Sequence, residues 1–180
     1  MIAITLPDGS VRQYEIGTTA LDVAMSISQG LGRNVLSASW NGQTVGANAP
    51  LQGDGELVLY TWEQAEGKRA FWHSSAHVLA QTILHHYPEA KLTIGPPIEN
   101  GFYYDVDFGD ESLSEKDFDQ IEKSMLGFAR EKAEFKMRDV SKEEALAFYA
   151  DNEYKTEPIQ NLEDGSITFY HQGNFTDLCK

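Results

Sequence analysis

The sequence is short of three things. It has a single cysteine, Cys179, so no intrachain disulfide can form, and a reducing, cytoplasmic setting fits best. It has no apolar run approaching the ~18 residues that a membrane-spanning helix requires. Its first residues, Met1-Ile2-Ala3-Ile4-Thr5-Leu6, carry no basic region and soon meet Pro7-Asp8-Gly9, which does not read as a signal peptide. It is also poor in positive charge: 14 Lys and Arg stand against 28 Asp and Glu, a formal net charge of −14. That balance excludes broad, non-specific adhesion to nucleic acid. Any such contact must be local, around Lys68, Arg69, Lys91 or Lys155, or be supplied by neighbouring domains. Residues 1–62 hold Arg12 and Arg33 against Asp8, Glu15, Asp22, Asp54 and Glu56, so most of the negative charge lies beyond them. No internal repeat or low-complexity tract is present.

What is there is a chain of 180 residues with 41% hydrophobic content, enough for one large domain or two small ones and too much for disorder. Residues 2–6 read as a strand, Pro7-Asp8-Gly9-Ser10 as a hairpin turn, and 11–16 as the returning strand. Thr19 and Asp22 open a helix with a capping box, Asp replacing the usual Glu, and Gly30 and Gly32 close it. A strand over 35–40, the Asn41-Gly42 turn, a loop and a last strand over 56–60 complete the order of a ubiquitin-like β-grasp domain over 1–62. Glu63–Gly67 is the join.

The second domain, 63–180, mixes helices with antiparallel hairpins, so the chain as a whole is α+β. A helix runs to about His86, stopped by Pro88. A short strand at 92–94 precedes the rigid break Gly95-Pro96-Pro97. Phe102, Tyr104, Val106 and Phe108 alternate with Tyr103, Asp105 and Asp107 as in a half-buried strand. Ser114 and Asp117 cap a long helix whose Phe118, Ile121, Met125, Phe128 and Phe135 form a core-facing stripe. A strand over 135–140 leads to Ser141-x-x-Glu144, a second capping box and a helix to about Ala150. Glu153-Tyr154-Lys155 lies in a turn or short helix cut by Pro158. Asp164-Gly165 is a further hairpin turn, followed by a strand through Ile167 and Phe169.

The residues with chemistry to offer begin with His73 and His77. Four residues apart on a helix, they project from one face, with small Ser74, Ser75 and Ala76 between them. Such a pair can hold a metal, share a substrate, or divide acid and base work between two imidazoles. His85, His86 and His171 read as surface or packing residues.

His73-Ser74-Ser75-Ala76-His77, Ile94-Gly95-Pro96-Pro97 with Gly101-Phe102-Tyr103-Tyr104-Asp105, Tyr154-Lys155 and Asp177-Leu178-Cys179 follow one another along the chain. Together they resemble bacterial threonyl-tRNA synthetase. The front part is similar to that family's TGS domain, a β-grasp. The rest is similar to its second N-terminal domain, which hydrolyses serine wrongly attached to threonine tRNA. In that family the cysteine opens a Cys-x-x-x-His motif whose histidine would lie beyond Lys180. The resemblance therefore implies an N-terminal fragment, of weak or no activity alone, lacking the aminoacylation and anticodon-binding domains.

The resemblance implies catalytic roles for His73, Lys155 and His77, with His73 leading near the ribose hydroxyl or the water. It implies substrate binding by Asp177, which would take the α-amino group, by Cys179 and by Tyr104. The partner is the acceptor end of tRNA(Thr) carrying serine. The fragment is expected to be monomeric and the full-length enzyme a homodimer. No cofactor is expected here; zinc, ATP and magnesium belong to the aminoacylation domain. Zinc is nonetheless the rival for the pocket, because alanyl-tRNA editing proteins share the motif and carry it. Two other readings stay open: a β-grasp module that docks RNA or a protein, and an alanyl-type zinc-dependent editing domain.

Overall fold

In the computed structural model, which describes residues 1–163 and 165–179, alternate residues of β1 (Ile2–Thr5) face inward, burying Ile2 and Ile4. β1 pairs antiparallel with β2 (Val11–Tyr14) across a turn in which Asp8 accepts hydrogen bonds from the Ser10 backbone N–H and hydroxyl. The Thr19–Asp22 capping box is fully formed and starts α1 (Ala20–Ile27). Gly30 and Gly32, read in the sequence as a helix end, instead lie inside a second short helix, α2 (Gln29–Asn34). Its cause is Ser28, whose extended backbone ends α1 and whose hydroxyl caps the Leu31 N–H at 3.0 Å.

β3 (Ser37–Trp40) and β4 (Gln43–Gly46) form a hairpin on Asn41 and Gly42, both with positive φ, the turn whose twist matches the strands. β4 lies where the sequence reads as loop, because Gln43-Thr44-Val45-Gly46 has one apolar residue to mark a buried face. β5 (Gly55–Tyr60) completes a sheet ordered β2-β1-β5-β3-β4, with β5 parallel to β1 and antiparallel to β3. Ile2, Ile4, Leu6, Ala20, Val23, Ala38, Leu51 and Leu57 form the core between this sheet and α1. This is the β-grasp arrangement.

The chain divides into two compact units, Met1–Trp72 and His73–Lys180. The second takes most of α3 (Ala65–His86). β6 (Lys91–Leu92), β7 (Pro97–Ile98), β8 (Gly101–Phe102) and β9 (Val106–Asp107) follow, with β6 paired to β9 and β7 to β8. The alternation over Phe102–Phe108 is real, but it is split between two small hairpins. Pro96 and Pro97 lack the N–H groups that one continuous partner strand would need. A 3-10 turn over Glu115–Asp117 leads into α4 (Phe118–Glu131). Ile121 and Met125 of its stripe pack against Ala80, Ile83, Leu92 and Phe175, whereas Phe118 is left exposed.

The remaining elements are β10 (Phe135–Val140), α5 (Lys142–Phe148), α6 (Glu153–Gln160), β11 (Ile167–Gln172) and β12 (Phe175–Cys179). The Asp164-Gly165 turn expected before β11 lies partly outside the described residues. β10, β11 and β12 form an antiparallel sheet in that order, so among the described residues β12 is an edge strand. Val140, Ala145, Ile159, Ile167 and Phe169 close a core on one side of it. Among the described residues, no helix is long and apolar enough to cross a membrane.

Candidate active site

α3 and β12 run side by side in opposite directions, and their contacts keep step. His73 meets Cys179, His77 meets Asp177, and Gln81 meets Asn174 just before β12. Four-residue spacing on the helix thus matches two-residue spacing on the strand at the first two pairs, so ligand-type side chains from each end of this unit face one another. His73 Nε2 lies 3.0 Å from Cys179 Sγ, and the two imidazole centroids are 4.9 Å apart. Tyr170, cross-strand from Asp177 on β11, stacks nearly parallel to the His77 ring at 5.8 Å.

Asp177 is the hub. It is 1% exposed, and both of its oxygens are taken. Oδ2 accepts from His77 Nδ1 at 3.0 Å and from the Tyr104 hydroxyl at 2.7 Å. Oδ1 accepts from Lys155 Nζ at 2.9 Å and, at a longer 3.5 Å, from the Tyr149 hydroxyl. Burial alone would raise the Asp177 pKa; the His77 hydrogen bond and the Lys155 charge outweigh it and hold the carboxyl well below the usual range. A carboxylate only accepts, so the proton between it and His77 sits on Nδ1. In the neutral ring Nε2 is then the free lone pair. It is buried and has no hydrogen-bond partner among the described residues.

A lone lysine is usually solvated, and nothing in the sequence around Lys155 marks it as buried. It is 3% exposed, its ammonium hydrogen-bonded to Asp177 and to the Tyr104 hydroxyl and lying 5.6 and 5.8 Å from the Tyr104 and Tyr149 ring centroids. Asn152 places it: its side-chain oxygen caps the first turn of α6 while its amide donates to the Leu92 carbonyl. Lys91–Glu153 and Tyr154–Asp107 contacts tie the same turn to β6 and β9. Tyr104 is placed by the Thr93 and Ile94 bridges to Asp105, and by Gly95. A Cβ on Gly95 would lie 2.2 Å from the Tyr104 ring, so any side chain there would force the ring to move. Burial, then the Asp177 charge, pushes the Tyr104 hydroxyl pKa up and keeps it a donor.

All six sequence-derived candidates, His73, His77, Tyr104, Lys155, Asp177 and Cys179, therefore lie in one contiguous cluster. Both Asp177 oxygens already accept hydrogen bonds, and Lys155 donates to one of them. Ligand atoms of His73, His77 and Cys179 lie within 4.8 Å of one another, the geometry of a possible three-ligand metal site. A shallow cleft of about 160 Å³ beside His86, Tyr87 and Asp117 is a separate feature near the other end of α3.

Comparison with known proteins bears on both units. Residues 2–61 match the TGS domain family. They are a TGS domain. The TGS domain thus spans the whole β-grasp sheet. Over its full length the chain is 59% identical to the threonine–tRNA ligase of Flavobacterium johnsoniae, 58% to that of Flavobacterium psychrophilum and 51% to that of Cytophaga hutchinsonii. It matches the N-terminal, TGS-bearing region of bacterial threonyl-tRNA synthetases, and it spans 28% of the length of these relatives.

Sequence reasoning missed Tyr149 and Tyr170. Tyr170 had a signal: with Thr168 it alternates out of phase with the core residues Ile167 and Phe169, placing it on the face that β12 shares with Asp177. Tyr149, at the end of a short helix, had none.

Proposed function

We propose that the cluster is a proofreading site that hydrolyses the ester of serine misattached to tRNA(Thr), and that the chain is the TGS and editing part of a threonyl-tRNA synthetase. The observation that carries the proposal is the His77–Asp177 pair, which presents a buried Nε2, unpartnered among the described residues, beside His73 and Cys179.

A need for such a site follows from small energies. Serine differs from threonine by one methyl, worth about 1–3 kcal/mol of discrimination, too little for faithful charging. A second pocket that excludes the larger side chain removes the error. Hydrolysis adds water to the ester carbonyl, passes through an oxyanion, and returns a proton to the ribose oxygen as the acyl–oxygen bond breaks. Neutral imidazoles suit both proton movements near pH 7. In this reading His73, the less buried of the pair, meets the ribose hydroxyl or the attacking water. His77 offers Nε2 to orient that water or the substrate's polar groups. Lys155 and Tyr104 act through Asp177, holding its carboxylate so that His77 keeps one tautomer. Cys179 shapes the wall against His73, since direct hydrolysis needs no thioester.

A second reading has an observation in its favour: the His73–His77–Cys179 group has zinc-type ligands, with a carboxylate behind one histidine. We propose that no zinc is held tightly, because Asp177, the neighbouring carboxylate, is engaged by four donors and cannot complete the set. Metal analysis of the purified protein separates the two readings, one tightly bound zinc per chain supporting the second.

The test of the function is deacylation of serine-charged tRNA(Thr), by the 180-residue chain and by a chain extended to the length of the relatives. His73→Ala is expected to abolish hydrolysis above background while leaving the fold intact. Equal rates for wild type and His73→Ala would refute the assignment.

A further inference from the structure

Among the described residues, β12 carries Asp177 and Cys179 at the edge of its sheet, paired on one side only, to β11. Edge strands are held less firmly than central ones, yet this one carries the acceptor that meets His77 at 3.0 Å. Between those two residues, the Leu178 backbone N–H donates to the Tyr149 hydroxyl at 2.8 Å. That hydroxyl's own proton points toward Asp177 Oδ1 at 3.5 Å. The ring also stands 5.8 Å from the Lys155 ammonium and edge-on to Phe169, the cross-strand partner of Leu178. Burial, followed by the Asp177 charge, pushes the Tyr149 pKa up, so it remains a hydroxyl. One side chain from the end of α5 thus touches the strand, the carboxylate and the cation of the site.

We propose that Tyr149 is a positioning residue of this site: by pinning the edge of β12 at Leu178 and flanking Lys155, it fixes Asp177 against His77. Its hydroxyl contacts run to the Leu178 N–H and Asp177 Oδ1, so its effect passes through Leu178 and Asp177. The proposal rests on the hydrolytic reading for its consequence, but not for its geometry.

The test uses the 180-residue chain and its Tyr149→Phe variant, which keeps the ring and its packing against Phe169 and removes the hydroxyl. Amide hydrogen exchange on wild type is expected to show Leu178 protected despite its place on an edge strand. In histidine-labelled samples the substitution is expected to shift the His77 ring-nitrogen signals, at an unchanged far-ultraviolet spectrum. Seryl-tRNA(Thr) deacylation is expected to lose roughly tenfold in kcat at nearly constant KM, with a displaced pH profile, as for other residues that orient a functional histidine. A Leu178 amide that exchanges freely in wild type overturns the proposal, whether or not the variant folds. So do unchanged His77 signals in a folded variant. If wild type fails to hydrolyse seryl-tRNA, the hydrolytic reading fails, while the two spectroscopic results still decide the role of Tyr149.

Discussion

His77 Nδ1 lies 3.0 Å from Asp177 Oδ2, across a hundred residues of chain, and both side chains are more than nine-tenths buried. The pair fixes which nitrogen of His77 is left free of Asp177. Asp177→Asn replaces an obligate acceptor with a group that can also donate, so the ring can turn to the wrong tautomer. On the proposed reaction kcat is expected to fall roughly 10²–10⁴-fold, as when the carboxylate behind a catalytic histidine is amidated. Steady-state deacylation measures the fall, and ring-nitrogen spectra report the tautomer. A wild-type rate in Asp177→Asn would separate the pair from catalysis.

The Lys155–Asp177 ion pair makes a prediction about stability and pH. The folded Asp177 pKa is depressed below the unfolded value near 3.9, so its contribution is complete above about pH 5 and is lost as pH falls below that. Lys155→Met removes the cation and leaves the buried carboxylate to neutral donors alone, at a cost of about 3–5 kcal/mol at pH 7. Burial then raises the folded pKa, and protonation relieves the penalty. Denaturant unfolding at pH 7 and pH 4 is expected to show the deficit of Lys155→Met narrowing at the lower pH. A deficit independent of pH contradicts this account of the pair.

Gly95 and Gly127 should respond in opposite ways to alanine. A Cβ at position 95 meets the Tyr104 ring at 2.2 Å, whereas one at position 127, inside α4, meets nothing within 4 Å. Gly95→Ala is expected to destabilise by about 1–3 kcal/mol and to displace the Tyr104 hydroxyl from Asp177. Gly127→Ala is expected to gain up to about 1 kcal/mol from helix propensity. Thermal unfolding of the two variants beside wild type checks both signs.

Residues 1–62 are expected to fold alone. Every strand of the five-stranded sheet and every residue of its buried core lies between Ile2 and Tyr60. A 1–62 peptide should give dispersed amide signals; a collapsed spectrum would mean that the TGS domain depends on the rest of the chain.

Much of this was legible in the residues. Hydrophobic alternation, the Asn41-Gly42 turn and the Thr19 cap mark the β-grasp, because each is a local signal acting on its own neighbours. The shared face of His73 and His77 follows from helical spacing alone. α2 escaped because two glycines outweighed a serine cap, and β4 because an edge strand needs little apolar patterning. Within the site, burial was the hidden quantity. Nothing in Tyr154-Lys155 announces that the lysine is enclosed by Asp177 and two tyrosines, since those partners come from three other segments. Tyr149 answers a backbone N–H of an edge strand, a demand that exists only once the sheet has formed.

The central claim, a site that removes serine and spares threonine, is tested most directly by measuring deacylation of tRNA(Thr) charged with each amino acid, side by side, at one enzyme concentration. Both esters offer the same amine, carbonyl and hydroxyl, so discrimination must come from crowding of the extra methyl in a packed pocket. The account predicts rapid loss of the seryl group and a threonyl rate at least roughly tenfold lower, the ratio that about 1.4 kcal/mol of steric cost supplies. Equal rates, or faster loss of threonine, would contradict it.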